Sequence, residues 1–217
     1  MNLILASDFP STAQPAIVER IKAAGTDPRI AWIPALTDTG RSRFAEARTR
    51  FADIGLDRLE YLDIDEDLDQ VQIAYLHEFD VICLTADDPV RFRYNAIRAG
   101  LAGRLRQCVT LGRVVVGTSG GALLLTPNVS LSRLQTESVD DVLATRGRFD
   151  AIGAVSFEVL PHANRWDEAL RVKVQQYSAA VDSDIVAMDD GGAVLASASA
   201  GVEHVGTVTI YRRGEII

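Results

Sequence analysis

Short apolar runs, each followed by a stretch with helical spacing, recur through the first half of the chain, and this rhythm constrains the fold more than any other feature. The runs are Leu3–Ala6, Ile30–Ile33, Leu59–Ile64, Val81–Leu84 and Val114–Val116. Runs such as Val81–Leu84 are continuously apolar rather than alternating, as a strand buried on both faces requires. Between them, Thr12–Ala24 sets Ala13, Ala16, Ile17, Ile21 and Ala24 at helical spacing and stops at Gly25. Thr37–Phe51 puts Phe44, Ala47 and Phe51 on one helical face; Asp65–His77 reads as a weaker, acidic helix and Val90–Gln107 as a long one. Strands alternating with helices imply right-handed crossovers, hence an α/β fold of three layers with a mostly parallel sheet between helices.

After about Thr126 the rhythm changes. Pro127–Arg148 is polar and punctuated, and is expected to be an excursion from the core. Val155–Leu160 resumes as a strand ending at Pro161, and Asp167–Val181 as a helix. Asp184–Met188, Gly192–Ala198 and Thr207–Tyr211 read as three short strands, so antiparallel strands close the chain. Asp189-Asp190-Gly191-Gly192 predicts a hairpin between the first two. With no internal repeat and no low-complexity linker, residues 1–217 are expected to form one domain.

Charge narrows the partners. Lys and Arg number 22 against 30 Asp and Glu, a formal net charge of −8. A surface of that sign repels phosphate, which argues against nucleic acid and against an anionic membrane surface. Cys83 and Cys108 each stand alone, so neither a disulfide framework nor a structural zinc site is expected, and a reducing cytoplasm is the simplest compartment. The opening Met-Asn-Leu-Ile-Leu-Ala-Ser-Asp has no basic region and only a short apolar run, so it reads as a first buried strand rather than a signal peptide. No apolar stretch approaches the roughly 20 residues that span a bilayer.

Chemistry concentrates at Gly117-Thr118-Ser119-Gly120-Gly121-Ala122. It fits G-x-S-x-G directly after a strand and before a short apolar helix, the setting of a nucleophile elbow. Ser119 would project above the sheet edge, and the Gly120 N–H, at a helix start, would face a developing oxyanion. A phosphate loop fits less well, because no Lys follows the glycines. A serine nucleophile needs a base. Of the three histidines, His77 ends a predicted helix and His204 lies in a small-residue loop, whereas His162 follows a strand and so shares the carboxyl edge with Ser119. An acidic residue must orient the base. Asp190, also just past a strand, is the first choice; Asp189, Glu137, Asp140 and Asp141 compete. Trp32 and Trp166 read as packing residues.

In order and spacing, Val81–Leu84, Ala99-Gly100-Leu101, the Ser119 turn, Leu160-Pro161-His162 and Ala187-Met188-Asp189-Asp190-Gly191 resemble peptidase E, the aspartyl dipeptidase and cyanophycinase family of serine peptidases. The resemblance implies a fold similar to class I glutamine amidotransferases, no metal or organic cofactor, and a Ser-His-acid triad of Ser119, His162 and Asp190. It implies a short peptide substrate with an acidic first residue; a homodimer is one assembly open to such a chain. Two departures stand out. Gly120 replaces the family's Ala. More seriously, where the family has a Gly-rich oxyanion segment after the fourth strand, this chain has Thr85-Ala86-Asp87-Asp88-Pro89. The N–H of Ala86 or Asp87 is the expected second oxyanion donor, while Asp88 is expected to cap the next helix with Pro89 at its first position. An acidic substrate needs a cation: Arg165 is the best placed, ahead of Arg91 and Arg93. Alternatively, Asp87 could pair with a substrate's amino group. The rival reading is a silent, ligand-binding or regulatory member of the family.

Overall fold

A computed structural model describes residues 2–9, 14–35, 41–64, 73–197 and 200–217. Its main sheet has seven strands in the order β3-β2-β4-β5-β1-β8-β9. Five are mutually parallel: β1 (Asn2–Ala6), β2 (Ile30–Ala35), β3 (Leu59–Tyr61), β4 (Val81–Ala86) and β5 (Val114–Ser119). β8 (Ala193–Ser197) and β9 (Gly201–Val205) add antiparallel pairs at the β1 edge. A second sheet of four strands runs β11-β10-β7-β6. In it β6 (Glu158–Leu160) and β7 (Ile185–Met188) are parallel, while β10 (Val208–Arg212) and β11 (Glu215–Ile216) are antiparallel additions.

Successive strand residues face opposite sides, so one strand feeds two cores. Ile4, Ile30, Trp32, Cys83 and Val116 pack on Ile17 and Ile21 of helix α1 (Pro15–Lys22) and on Ala47 and Phe51 of α2 (Ser42–Asp53). On the other face Leu5, Ile33, Leu84 and Val115 meet helices α3 (Pro89–Arg98), α4 (Leu101–Thr110) and α5 (Gly120–Leu125). That cluster continues into α6 (Val139–Thr145), α7 (Glu168–Ala180) and the smaller sheet. The expected three-layer α/β arrangement, with antiparallel strands near the C-terminus, is the observed one.

Several expectations need correction. The long helix Val90–Gln107 is two helices, because Gly100 takes a left-handed φ of 65° between them. Pro127–Arg148 is no excursion: Val129, Leu131, Leu134 and Val142 are buried in the second core. The segment Asp189–Gly192 is a turn, with Gly192 N–H donating to the Asp189 carbonyl at 2.8 Å, but not a hairpin. β7 and β8 belong to different sheets, so this turn carries the chain from one sheet to the other. β9 and β11 were not expected at all, and β9 holds His204 in an exposed strand rather than a loop. Residues 12–13, 37–40 and 65–72, part of three expected helices, lie outside the described residues. Among the described residues no helix is long and apolar enough to cross a membrane. Cys83 and Cys108 are buried and unpaired.

Candidate active site

The site begins with the packing of α5. Its first turn presses on β4 and β5 so closely that side chains are excluded: a Cβ on Gly121 would lie 2.2 Å from the Leu84 carbonyl oxygen, and one on Gly120 2.7 Å from that of Ala86. A Cβ on Gly117 would meet Ala122 Cα at 2.7 Å. The chain must turn from β5 into α5 within one residue, and Ser119 takes that turn at φ 51°, ψ −124°. A side chain is rarely tolerated there, at a cost of about 1–3 kcal/mol. No side chain caps α5.

His162 lies opposite, two residues past β6, itself left-handed at φ 61°, ψ 35°. Its Nε2 is 3.2 Å from Ser119 Oγ. Its Nδ1 is 2.6 Å from Asp190 Oδ1. The second Asp190 oxygen accepts from Arg165 Nε at 2.7 Å and Asn164 Nδ2 at 3.1 Å, and the Asp190 N–H donates to Asn164 Oδ1 at 2.9 Å. Burial pushes the Asp190 carboxyl up, but the hydrogen bonds from His162, Arg165 and Asn164 outweigh it and hold the group down to about 2. An ionised carboxylate only accepts, so Nδ1 carries the imidazole proton and Nε2 offers its lone pair to Ser119.

The other candidates fall elsewhere. Glu137 pairs with Arg133, and Asp141 accepts from Ser138 Oγ at 2.6 Å. Asp140 lies in the first turn of α6, and Asp189 opens the turn that holds Asp190. His77 is bound through Nδ1 to the Ala74 carbonyl. Arg93 donates to the Asp150 carbonyl, and neither it nor Arg91 lines a cavity at Ser119. Arg165, expected to hold the substrate, is engaged with Asp190 and lines neither cavity. Trp166 donates to the Pro161 carbonyl at 3.1 Å, fixing the residue before His162.

The segment after β4 also departs from expectation. Asp88 caps α3, accepting the N–H of Val90 at 2.9 Å and Arg91 at 3.0 Å, as the sequence implies. The Asp87 N–H, however, is directed at the Ala35 carbonyl at 3.3 Å. That points it toward β2, on the far side of β4 from Ser119. Ala86 is paired on both sides, with Ala35 and with Ser119. In this conformation the expected second donor is therefore absorbed in sheet pairing. The Asp87 carboxylate faces Arg43 at 3.6 Å, both side chains half exposed.

Two cavities meet at Ser119, His162 and Asp87. One, of about 220 Å³, lies between the strand ends and α2 and is lined by Asp8, Phe9, Trp32, Arg43, Glu46 and Arg50, among others. The other, of about 430 Å³, lies over α3 and α5 and includes Val90, Leu123, Arg133 and Leu160. Arg50 and Arg43 were missed in the sequence, where nothing marks a helical arginine as facing a strand edge. So were Ser7 and Asp8, which hydrogen-bond to His162 and Gly191.

Ser119 and His162 do not share one sheet edge as expected, since β6 and β7 belong to the smaller sheet. Even so, a serine on a strand-to-helix turn, in line with an imidazole and a carboxylate, is the arrangement of a serine hydrolase. The comparisons narrow this class. The model of peptidase family S51 matches residues 3–201, and the chain belongs to that family of serine peptidases. A protein described as a peptidase E, from Listeria monocytogenes EGD-e, superposes with a TM-score of 0.68 at 21% identity, covering 97% of this chain and 98% of its own. A peptidase from an acI-B1 Actinobacterium gives a TM-score of 0.74 at 19% identity, covering 100% of this chain and 96% of its own. At those identities the likeness is one of fold. No curated protein sequence matches the chain.

Proposed function

We propose that this serine peptidase hydrolyses short peptides with an acidic N-terminal residue, using Ser119, His162 and Asp190. The observation that carries the reading is the unbroken line of hydrogen bonds from Ser119 Oγ through the imidazole to Asp190, at 3.2 and 2.6 Å. Ser119 Oγ attacks the scissile carbonyl while Nε2 takes its proton. The imidazolium, stabilised by Asp190, returns that proton to the leaving amine. Water, activated by the same nitrogen, then releases the acyl group. The Gly120 N–H, at the start of α5, is the oxyanion donor in this scheme. A second donor requires the Asp87 peptide to leave the Ala35 carbonyl. The small cavities on either side of Ser119 suit a short peptide better than a folded protein. Arg50, exposed where it lines the smaller one, supports an acidic side chain there, with Arg43 beside it. The buried, unpaired cysteines are in keeping with a cytoplasmic setting.

A silent, ligand-binding protein is the second reading, and it is favoured by the Asp87 segment. Turnover of dipeptides that differ only in the first residue separates the two. Hydrolysis of Asp-Ala well above Leu-Ala, with the preference reduced in Arg50→Ala, supports the proposal. Hydrolysis of neither, with binding retained, would favour the silent protein; equal hydrolysis of both would remove the acidic preference.

A further inference from the structure

Ser119 stands on the larger sheet, whereas His162 and Asp190 follow strands of the smaller one. A proton relay across two sheets works only if they are held in fixed relation, since a misplacement of about 1 Å can cost ~100-fold in rate. The residues that leave β1 are placed to do this. Ala6 is level with Thr118, so Ser7 emerges beside Ser119, and it is wholly buried. The Ser7 N–H donates to the Gly192 carbonyl at 2.9 Å. The His162 N–H donates to Ser7 Oγ at 2.9 Å, and the same oxygen lies 3.3 Å from His162 Nδ1. The next residue continues the contact: Asp8 Oδ1 accepts the Gly191 N–H at 3.1 Å and Gln14 Nε2 at 3.3 Å.

We propose that Ser7 and Asp8 are positioning residues, a two-residue clamp that fixes His162 and Asp190 against Ser119. The proposal rests on the assignment of Ser119, His162 and Asp190 given above. Ser7 holds the left-handed backbone of His162 by accepting its N–H, and gives Nδ1–H a second, longer acceptor beside Asp190. Asp8 holds the turn at Gly191, the residue after Asp190. Neither contact moves a proton or touches the reacting atoms. Asp8 has a rival role, because it also lines the smaller cavity and could bind a substrate's ammonium group. The two roles respond differently to charge. Asparagine keeps an oxygen that accepts the Gly191 N–H but removes the negative charge.

The test compares Ser7→Ala, Asp8→Asn and Asp8→Ala with the parent in steady-state kinetics on Asp-Ala. It adds proton NMR of the downfield His162 Nδ1–H signal, assigned by its loss in His162→Ala, and thermal unfolding to establish that each variant folds. The clamp predicts that Ser7→Ala and Asp8→Ala lower kcat roughly 10- to 100-fold with KM nearly unchanged. It predicts that Asp8→Asn stays close to the parent, and that the Nδ1–H signal broadens by exchange in the two alanine variants only. Unchanged kcat and a sharp signal in both alanine variants would overturn it. So would an Asp8→Asn variant whose KM rises as far as that of Asp8→Ala, which would assign Asp8 to the substrate. If the parent turns over no peptide, the NMR signal still decides the clamp, while the failure of turnover bears on the function alone.

Discussion

In the proposed mechanism, Asp87 is the residue expected to limit the rate. Its backbone N–H is spent on the Ala35 carbonyl, and the residue lines both cavities at Ser119, where the proposed reaction would gather negative charge on the substrate. An unopposed carboxylate there would cost on the order of 1–4 kcal/mol; Arg43, at 3.6 Å, offsets part of it. Asp87→Gly removes the charge and frees the peptide to turn its N–H toward Ser119. The expected outcome is a kcat higher by roughly tenfold, a fraction of the ~100-fold that one oxyanion donor supplies. A rise in KM without a rise in kcat would instead mark Asp87 as the partner of a substrate amine. Such a residue shows how far side chains are legible in a sequence. Ser119 could be singled out from its G-x-S-x-G turn, and His162 and Asp190 because each follows a strand. The single shared edge expected for them is not what the fold uses, since the strands before His162 and Asp190 belong to the smaller sheet. Arg165 could not be assigned, because a guanidinium takes whichever carboxylate the fold brings near, here Asp190. Ser7 and Asp8 act across separations of 155 and 183 residues, which leave no local pattern.

At the scale of elements, the turn from β5 into α5 leaves no room for side chains at three glycines, Gly117, Gly120 and Gly121. The small residues around Ser119 were expected because the turn is strained; the structure adds that α5 lies directly on the β4 backbone. Gly120 is consequently more than an alternative to alanine, since a methyl group there would meet the Ala86 carbonyl oxygen. Gly121 is under the stricter constraint, facing the Leu84 carbonyl at 2.2 Å. We expect Gly121→Ala to destabilise the protein by about 1–3 kcal/mol or more, as overpacking against rigid backbone does. It should also displace Ser119. Chemical denaturation checks the first effect, and an unchanged midpoint would show that α5 can lift away. The parallel strands were legible because burial on both faces writes continuous apolar runs. The Asp189–Gly192 turn was misread because its residues specify a reversal of the chain but not which sheet the next strand joins. The break at Gly100 was missed because apolar spacing continues from α3 into α4.

For the molecule as a whole, the candidate site lies where two sheets meet. The smaller sheet is anchored beneath His162 by Glu158, a wholly buried carboxylate. Burial pushes Glu158 up, opposed by Arg146 at 2.7 Å and by the Tyr177 hydroxyl at 3.1 Å. An ion pair of this kind contributes little net stability but is costly to break, and it ties β6, the strand that leads to His162, to Arg146 and to Tyr177 of α7. The layered α/β arrangement was readable from the alternation of strands and helices; the meeting of the sheets was not, since it depends on pairings between distant segments. The proposed activity requires Ser119 to be a nucleophile activated by His162. Labelling with a fluorophosphonate, followed by mass-spectrometric mapping of the adduct, tests this without assuming a substrate. A single adduct on Ser119 is predicted, absent in Ser119→Ala and formed about 1,000-fold more slowly in His162→Ala. An unlabelled parent, or equal labelling of the Ser119→Ala variant, would contradict it.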